Sequence, residues 1–463
     1  MNLAASTGLC VVWLCLIGSL GFAESSQARE LWRRGEAYID FGGSLFEQIA
    51  LTQGTDLDAF REASMGDPRC VFAANFANCP GFDTVGDWFV PIALTRLRAK
   101  LEIRVDEHWS AVVEYDHELV VGRLEGLGSE LGGAIGRPSF LGAEQEIVSG
   151  EYANWRQLLY RGFVQFESEH FETTVGRQRI PWGVGRLWNP IDRFNAIPPL
   201  ALQSTQSPGV DAIDVRWLLS GFTFVEGVFA PGKIAADRSF ALRLHGVAAD
   251  IDYSVVAGVF EEAWTAGFDL AGNLGGAAAR FEFVYTDPER DVWPIGRSRP
   301  RELAPFVQLV ASIDYLFDIG SGLYGLIEYL YNGNALGFGS GRAGPLLPFF
   351  EATDVPPPGV PDGVPGPFVT ATSPDAFGGS RVITRSAHLT GLQLGYDLTP
   401  ELRFNCIALV DWQGISANLF PVLTYTPRDW LEIAVGVQLP VGPRLSEYGS
   451  LEPLGFIQLE GFF

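Results

Sequence analysis

Between residues 93 and 121 the side chains alternate with a period of two, twice in succession, and the charged positions of the two runs answer each other. Ala93, Thr95, Leu97, Ala99, Leu101, Ile103 and Val105 define one face of the first run. Arg96, Arg98, Lys100, Glu102 and Arg104 stand on the other. After Asp106-Glu107-His108 the second run places Trp109, Ala111, Val113, Tyr115, Leu119 and Val121 on its apolar face, with His117 as the exception. Glu114, Asp116 and Glu118 lie opposite. Alternation of this kind marks β-strands with one apolar face. If Val105 pairs with Trp109, one register sets Lys100 against Glu114, Arg98 against Asp116 and Arg96 against Glu118. Each such pair contributes up to about 1 kcal/mol, so a hairpin is predicted with its register fixed.

The same alternation runs through most of the chain, in segments of roughly 10–13 residues, long enough for tilted membrane-crossing strands. Strands of a soluble sandwich are typically about 5–6 residues. The connections also differ in length. Short ones fall at 106–108, 168–169, 220, 250, 318–321, 397–401 and 426–429, and long ones at 45–91, 122–155, 180–209, 287–302, 334–380 and 440–450. Short turns on one rim and long loops on the other are the pattern of an outer-membrane barrel, whose closure leaves no backbone group unpaired in hydrocarbon. The reading is an all-β, antiparallel up-and-down transmembrane barrel of about eighteen strands. Sixteen stays open, because 262–276 is Gly-rich and weakly patterned.

Composition agrees. With 47% hydrophobic, 13% aromatic and 19% charged residues the chain is too apolar for a disordered protein, and a net charge of −23 opposes nucleic-acid binding. Apolar residues dispersed one in two are expected to face lipid, with Tyr and Trp at the membrane interfaces. Residues 2–22 lack any charge and end in small residues, which reads as an export signal cleaved near Ala28, leaving 29–463 as the barrel. Cys70 and Cys79 bracket a short segment and are candidates for a disulfide in an oxidising compartment. Cys406 sits in a strand-like run as a small apolar residue.

The chain stops at Phe463, and Gly455, Ile457, Leu459 and Gly461 alternate back from it. This resembles the assembly signal of Gram-negative outer-membrane barrels, and the resemblance implies recognition by the barrel-assembly machinery. Residues 175–211 do not alternate and are dense in Gly, Pro, Trp, Arg and Asn. By position the segment resembles the third long loop of porins, which folds into the lumen. Its wording Gly176-Arg177-Gln178, Trp182-Gly183, Asn189-Pro190 and Asp192 is similar to segments of uncharacterised porin-like families. Trp182 and Trp188 supply apolar mass to wedge the loop, and Arg177, Arg179, Arg186 and Arg193 have Asp192, Asp211 and Asp214 as candidate partners. A plug with every Arg paired, a selectivity-setting eyelet and an ordinary outward loop all stay open.

Parity assigns Arg96, Arg98, Lys100, Arg104, Glu114, Asp116, Glu118, Arg161, Arg216, Arg243, Arg280, Glu282 and Arg403 to the pore wall, with Glu226 and Glu328 among further wall positions. These inward charges look balanced in sign. The chain lacks CxxCH, P-loop, HExxH and GxSxG motifs, and its five His are scattered. No cofactor, metal site or enzymatic activity is therefore expected. The expected function is an outer-membrane channel through which small hydrophilic solutes or ions diffuse passively, constricted by residues 180–209. A structural or export sleeve holding periplasmic proteins is the alternative, and a barrel enzyme the third. Expected partners are outer-membrane lipid and lipopolysaccharide. Homotrimer and monomer both stay open.

Overall fold

The computed structural model describes residues 29–55, 85–122, 140–150, 152–195, 199, 209–233, 237–288, 291–292, 301–302, 304–335, 350–353, 368–371, 382, 384–443, 446–449 and 451–463. The export signal, Cys70 and Cys79, and the Pro/Gly-rich residues 354–366 lie outside the described residues.

Eighteen consecutive antiparallel strands close on themselves. They are β1 (Ala37–Thr55), β2 (Val85–Arg104), β3 (Trp109–Gly122), β4 (Ala153–Glu167), β5 (Phe171–Gln178), β6 (Val210–Ser220), β7 (Thr223–Ala230), β8 (Ser239–Ala248) and β9 (Ile251–Phe260), followed by β10 (Ala263–Leu274), β11 (Ala277–Pro288), β12 (Phe306–Phe317), β13 (Leu323–Asn332), β14 (His388–Thr399), β15 (Leu402–Asp411), β16 (Ser416–Arg428), β17 (Leu431–Val441) and β18 (Leu454–Phe462). The seam joins β1 to β18 from Ser44↔Phe462 to Thr52↔Leu454. One step further, the Phe463 and Gly43 backbones exchange hydrogen bonds of 3.1 and 2.9 Å.

The Gly-rich 262–276 region is a full strand, so the count is eighteen. Its weak pattern is rescued by two-residue turns on both sides. Glu261-Glu262 and Gly275-Gly276 all have positive φ, the geometry that matches hairpin twist. The loop rule has exceptions on the long-loop rim, where 261–262 and 412–415 are short. The expected loop at 45–91 is shorter than its sequence suggested, because β1 and β2 extend their ladder to Thr55↔Val85.

Two further strands join the sheet. Arg29–Arg34 pairs with the start of β1, and Glu144–Ser149 pairs with the upper half of β4. The latter takes the place beside β4 that β5 vacates, since β5 pairs only with the lower half, from Gly162 to Glu167. Phe350–Thr353 and Phe368–Ala371 pair with each other in a separate two-stranded sheet.

Leu97, Val113, Val164, Ile213, Leu242, Val255, Ile327, Leu394 and Val435 are exposed on one parity, whereas Gln48, Asp116, Glu226, Glu282, Gln308 and Glu328 are buried on the other. The apolar belt faces outward and the polar face inward. Trp109, Trp217 and Phe222 stand near the short-turn rim, and Trp264, Tyr285 and Trp412 near the other. A closed barrel of this kind is an integral outer-membrane protein. The apolar residues are not all outward, however. Three buried clusters form on the inner side, two of them built around residues 180–194.

Candidate pore and constriction

The wall between β2 and β3 has the register expected from sequence, with Lys100↔Glu114, Arg98↔Asp116 and Arg96↔Glu118. Arg98 donates two hydrogen bonds to Asp116, at 2.7 and 2.6 Å, and its guanidinium lies 3.4 Å over the Tyr160 ring. Arg96 Nη1 is 3.6 Å from Glu118, which also accepts from Arg156. Lys100 reaches Glu102 of its own strand at 3.3 Å instead of forming an ion pair with Glu114. Glu114 stands opposite Arg161, and Arg104 opposite Ser110 and Tyr38. Further round the wall Arg216 bridges Glu172 and Glu226, Arg243 approaches Glu226, Arg280 pairs with Asp314, and Arg403 with Asp397. Asp214 stands opposite Val228 on β7 and Thr174 on β5.

Residues 179–195 leave the ladder after β5 and run along the polar face of the wall. A backbone outside a ladder must find other acceptors, and two wall carboxylates provide them. Glu282 on β11 accepts from the N–H groups of Val184 (2.5 Å), Gly185 (2.6 Å) and Ile191 (3.3 Å). Glu328 on β13 accepts from Arg186 (2.8 Å), Leu187 (2.9 Å) and Trp188 (2.8 Å). A third carboxylate, Glu226 on β7, takes the indole N–H of Trp182 at 3.0 Å. The segment therefore rests on acids from three separate strands.

Its own turns explain the local path. Asn189 Nδ2 donates to the Trp182 carbonyl, Ile180 N–H donates to Asn195, and Asp192 accepts from Phe194 and Asn195. Gly183 has φ of +81°, and a Cβ there would lie 2.0 Å from Asn189 Oδ1. Trp182 and Phe194 pack edge to face with centroids 5.2 Å apart, within the cluster that includes Ile180, Val228 and Phe260. Leu187 and Trp188 join a second cluster with Val310, Leu330 and Leu409.

The four arginines of this segment have different fates. Arg177 stands apart from the segment that follows it. Its side chain shares the outward parity of β5, makes a bidentate pair with Asp211 at 2.8 and 3.0 Å, and donates to the Leu159 carbonyl. Asp211 goes with it, and accepts from Leu141 N–H. Arg193 is buried and donates to Thr286 Oγ1. Arg179 and Arg186 are exposed, and neither guanidinium meets a carboxylate among the described residues.

The sequence placed Glu226, Glu282 and Glu328 on the wall without their task. Nothing local in a sequence says which distant N–H groups a carboxylate will receive. Parity predicts that His117 faces outward and Ser110 inward, and the strand pairing places them so. Among the described residues no group of three or more His, Cys, Asp or Glu could hold a metal ion.

No family model matches the sequence, and no curated protein is similar to it. Solved structures are similar in fold. OccAB1 of Acinetobacter baumannii superposes with a TM-score of 0.51 at 10% identity, over 95% of this chain and 99% of that one. OccD3 (OpdP) of Pseudomonas aeruginosa gives 0.47 at 9% identity, over 96% of each chain. OmpF of Salmonella typhi gives 0.42 at 9%, over 94% of this chain and 100% of that one. At such identities the likeness is one of fold. The class so defined is the outer-membrane β-barrel of porin type.

Proposed function

We propose that this protein is an outer-membrane channel for passive diffusion of small hydrophilic solutes, narrowed by residues 180–209, and that the constriction favours anions. The observation that carries the reading is an asymmetry of burial. Glu226, Glu282 and Glu328 are almost fully covered, their oxygens occupied by Trp182 and the backbone of 184–191. Arg179 and Arg186 stay exposed. Along the described part of this segment the exposed charge is therefore positive, and exposed charge of one sign selects ions of the other.

Reversal potentials across a planar bilayer in a salt gradient test this. The purified protein should conduct with anion preference, and Arg179→Ser with Arg186→Ser should reduce it. Cation preference overturns the selectivity. A channel that stays closed until a periplasmic partner is added overturns the reading in favour of the sleeve. Residues 1–28 act as the export signal on this reading, giving a mature chain that begins near Arg29, which intact mass checks. The C-terminal strand serves as the assembly signal, a role supported by the place of Phe463 at the seam.

A further inference from the structure

On the last two strands a pair of carboxylates stands directly opposite one another. Glu432 is the second residue of β17, Glu460 lies two residues before the end of β18, and the antiparallel register pairs them. Val435 and Ile457, on the other parity, are exposed on the outer wall, so both acids face the lumen, where they are half-buried. No Lys, Arg or His nitrogen of the described residues lies within 4.0 Å of either carboxylate. The same row continues to Phe46 on β1 and Arg96 on β2. The Arg96 guanidinium, however, lies over the Phe46 ring, 4.9 Å from its centroid, and is turned to Glu118 on β3.

Like charges directly opposite across a ladder are destabilising, by up to about 1 kcal/mol. The end of the barrel on which these two stand is acidic. The short turns 105–108, 168–170, 249–250, 318–322, 400–401 and 429–430 carry Asp or Glu, and none of the barrel's short turns carries Lys or Arg. Of the lumen-facing bases on that side, Lys100 is matched by Glu102, Arg216 by Glu172 and Glu226, and Arg403 by Asp397. Arg104, with Tyr38 and Ser110 opposite, has no such acid. In the N-terminal strand Arg33 is held by Glu30, while Arg29 and Arg34 pair with the outward positions Phe41 and Ala37.

We propose that Glu432 and Glu460 are specificity-determining residues, a cation-attracting filter at the short-turn end of the lumen in series with Arg179 and Arg186, so that the pore passes more current when its short-turn side is positive. The direction of the asymmetry rests on the anion-favouring constriction proposed above. Fixed charge fills a stretch of pore with mobile ions of the opposite sign. With the short-turn side positive, cations enter through the acidic end and anions through the constriction, and both accumulate where the two zones meet. The opposite voltage draws both away and depletes that junction.

The test uses the purified full-length protein in a planar bilayer, its orientation read from an impermeant thiol reagent applied to one chamber against Gly221→Cys on a short turn. Screening lengths are about 10 Å at 0.1 M salt and about 3 Å at 1 M, so the currents at opposite voltages should differ by at least about 1.5-fold at 0.1 M KCl and converge at 1 M. Glu432→Gln with Glu460→Gln should remove the asymmetry and raise the chloride-to-potassium permeability ratio about twofold. Glutamine relieves the like-charge pair, and heat-shifted gel mobility shows that the barrel has folded. A glutamine variant with an unchanged permeability ratio, or a wild-type current larger with the short-turn side negative, overturns the proposal. A symmetric wild-type current whose permeability ratio still shifts in the glutamine variant upholds the filter and overturns the anion-favouring constriction instead.

Discussion

The indole of Trp188 lies over Gly391 on β14, so that a Cβ on that glycine would come 3.1 Å from the ring and 2.2 Å from Leu187 Cδ1. The glycine is the space into which this corner of the loop settles. Gly391→Leu should therefore lift Leu187 and Trp188 off the wall, at a cost of about 1–3 kcal/mol for the overpacked site. If residues 180–209 narrow the pore, single-channel conductance should rise, and Gly391→Ala should give a smaller effect of the same sign. Unchanged conductance in a folded Gly391→Leu barrel counts against the constriction.

Glu328→Gln tests how the loop is held. A carboxylate can accept all three N–H groups of 186–188, whereas an amide turns one donor towards another. Hydrogen bonds to a charged group contribute about 1.5–3 kcal/mol, so the loop should loosen while the wall persists. Hydrogen exchange at Arg186, Leu187 and Trp188 should accelerate, with exchange in the β3 and β15 ladders unchanged. The same substitution at Glu282 should act on Val184, Gly185 and Ile191.

These contacts mark the boundary of what the sequence discloses. Strand pairing is local and repeats every second residue, so the register of Arg96, Arg98 and Lys100 against their partners is legible in the sequence. Closure is not local. Whether Glu328 meets the backbone of Trp188 depends on how far the barrel curves between β5 and β13, and no pattern near either residue encodes that. Lys100 shows a smaller failure of the same kind, since its flexible chain bends to Glu102 although the register puts Glu114 opposite. The strand Glu144–Ser149 was hidden inside a long loop because its partner, the upper half of β4, became available only when β5 left the wall.

The pair Arg177–Asp211 stands where that departure occurs. It is buried, bidentate and on the outward parity, beneath Leu141. Removing one member of a buried pair costs about 3–5 kcal/mol because the other charge stays behind. Asp211→Asn should therefore lower stability by that order in urea unfolding from lipid, more than Asp397→Asn, which breaks the exposed pair with Arg403. Equal losses for the two variants would show that Arg177–Asp211 is not structural.

On the long-loop rim, Glu447 ties three connections together. Its carboxylate accepts from the N–H groups of Arg385 (2.5 Å) and Ser386 (3.1 Å), and its own N–H donates to Asp411. Asp411 also receives the hydroxyls of Ser386 and Ser416. Burial pushes the Glu447 carboxyl up to about 7, with Asp411 adding to the rise while the two N–H groups and Arg385 oppose it. Tyr448 beside it is raised by the same burial. A carboxyl whose folded value exceeds its unfolded one favours the folded state while it is protonated. That contribution is complete below the unfolded value near 4.5, fades as pH rises, and is lost above about 7. It amounts to at most about 3 kcal/mol. The difference in heat-unfolding midpoint between Glu447→Gln and the wild type should therefore grow in favour of the variant between pH 5 and pH 8, because glutamine stays neutral throughout. A difference that stays flat across that range would mean that Glu447 does not titrate there and that the rim is held without reference to its proton.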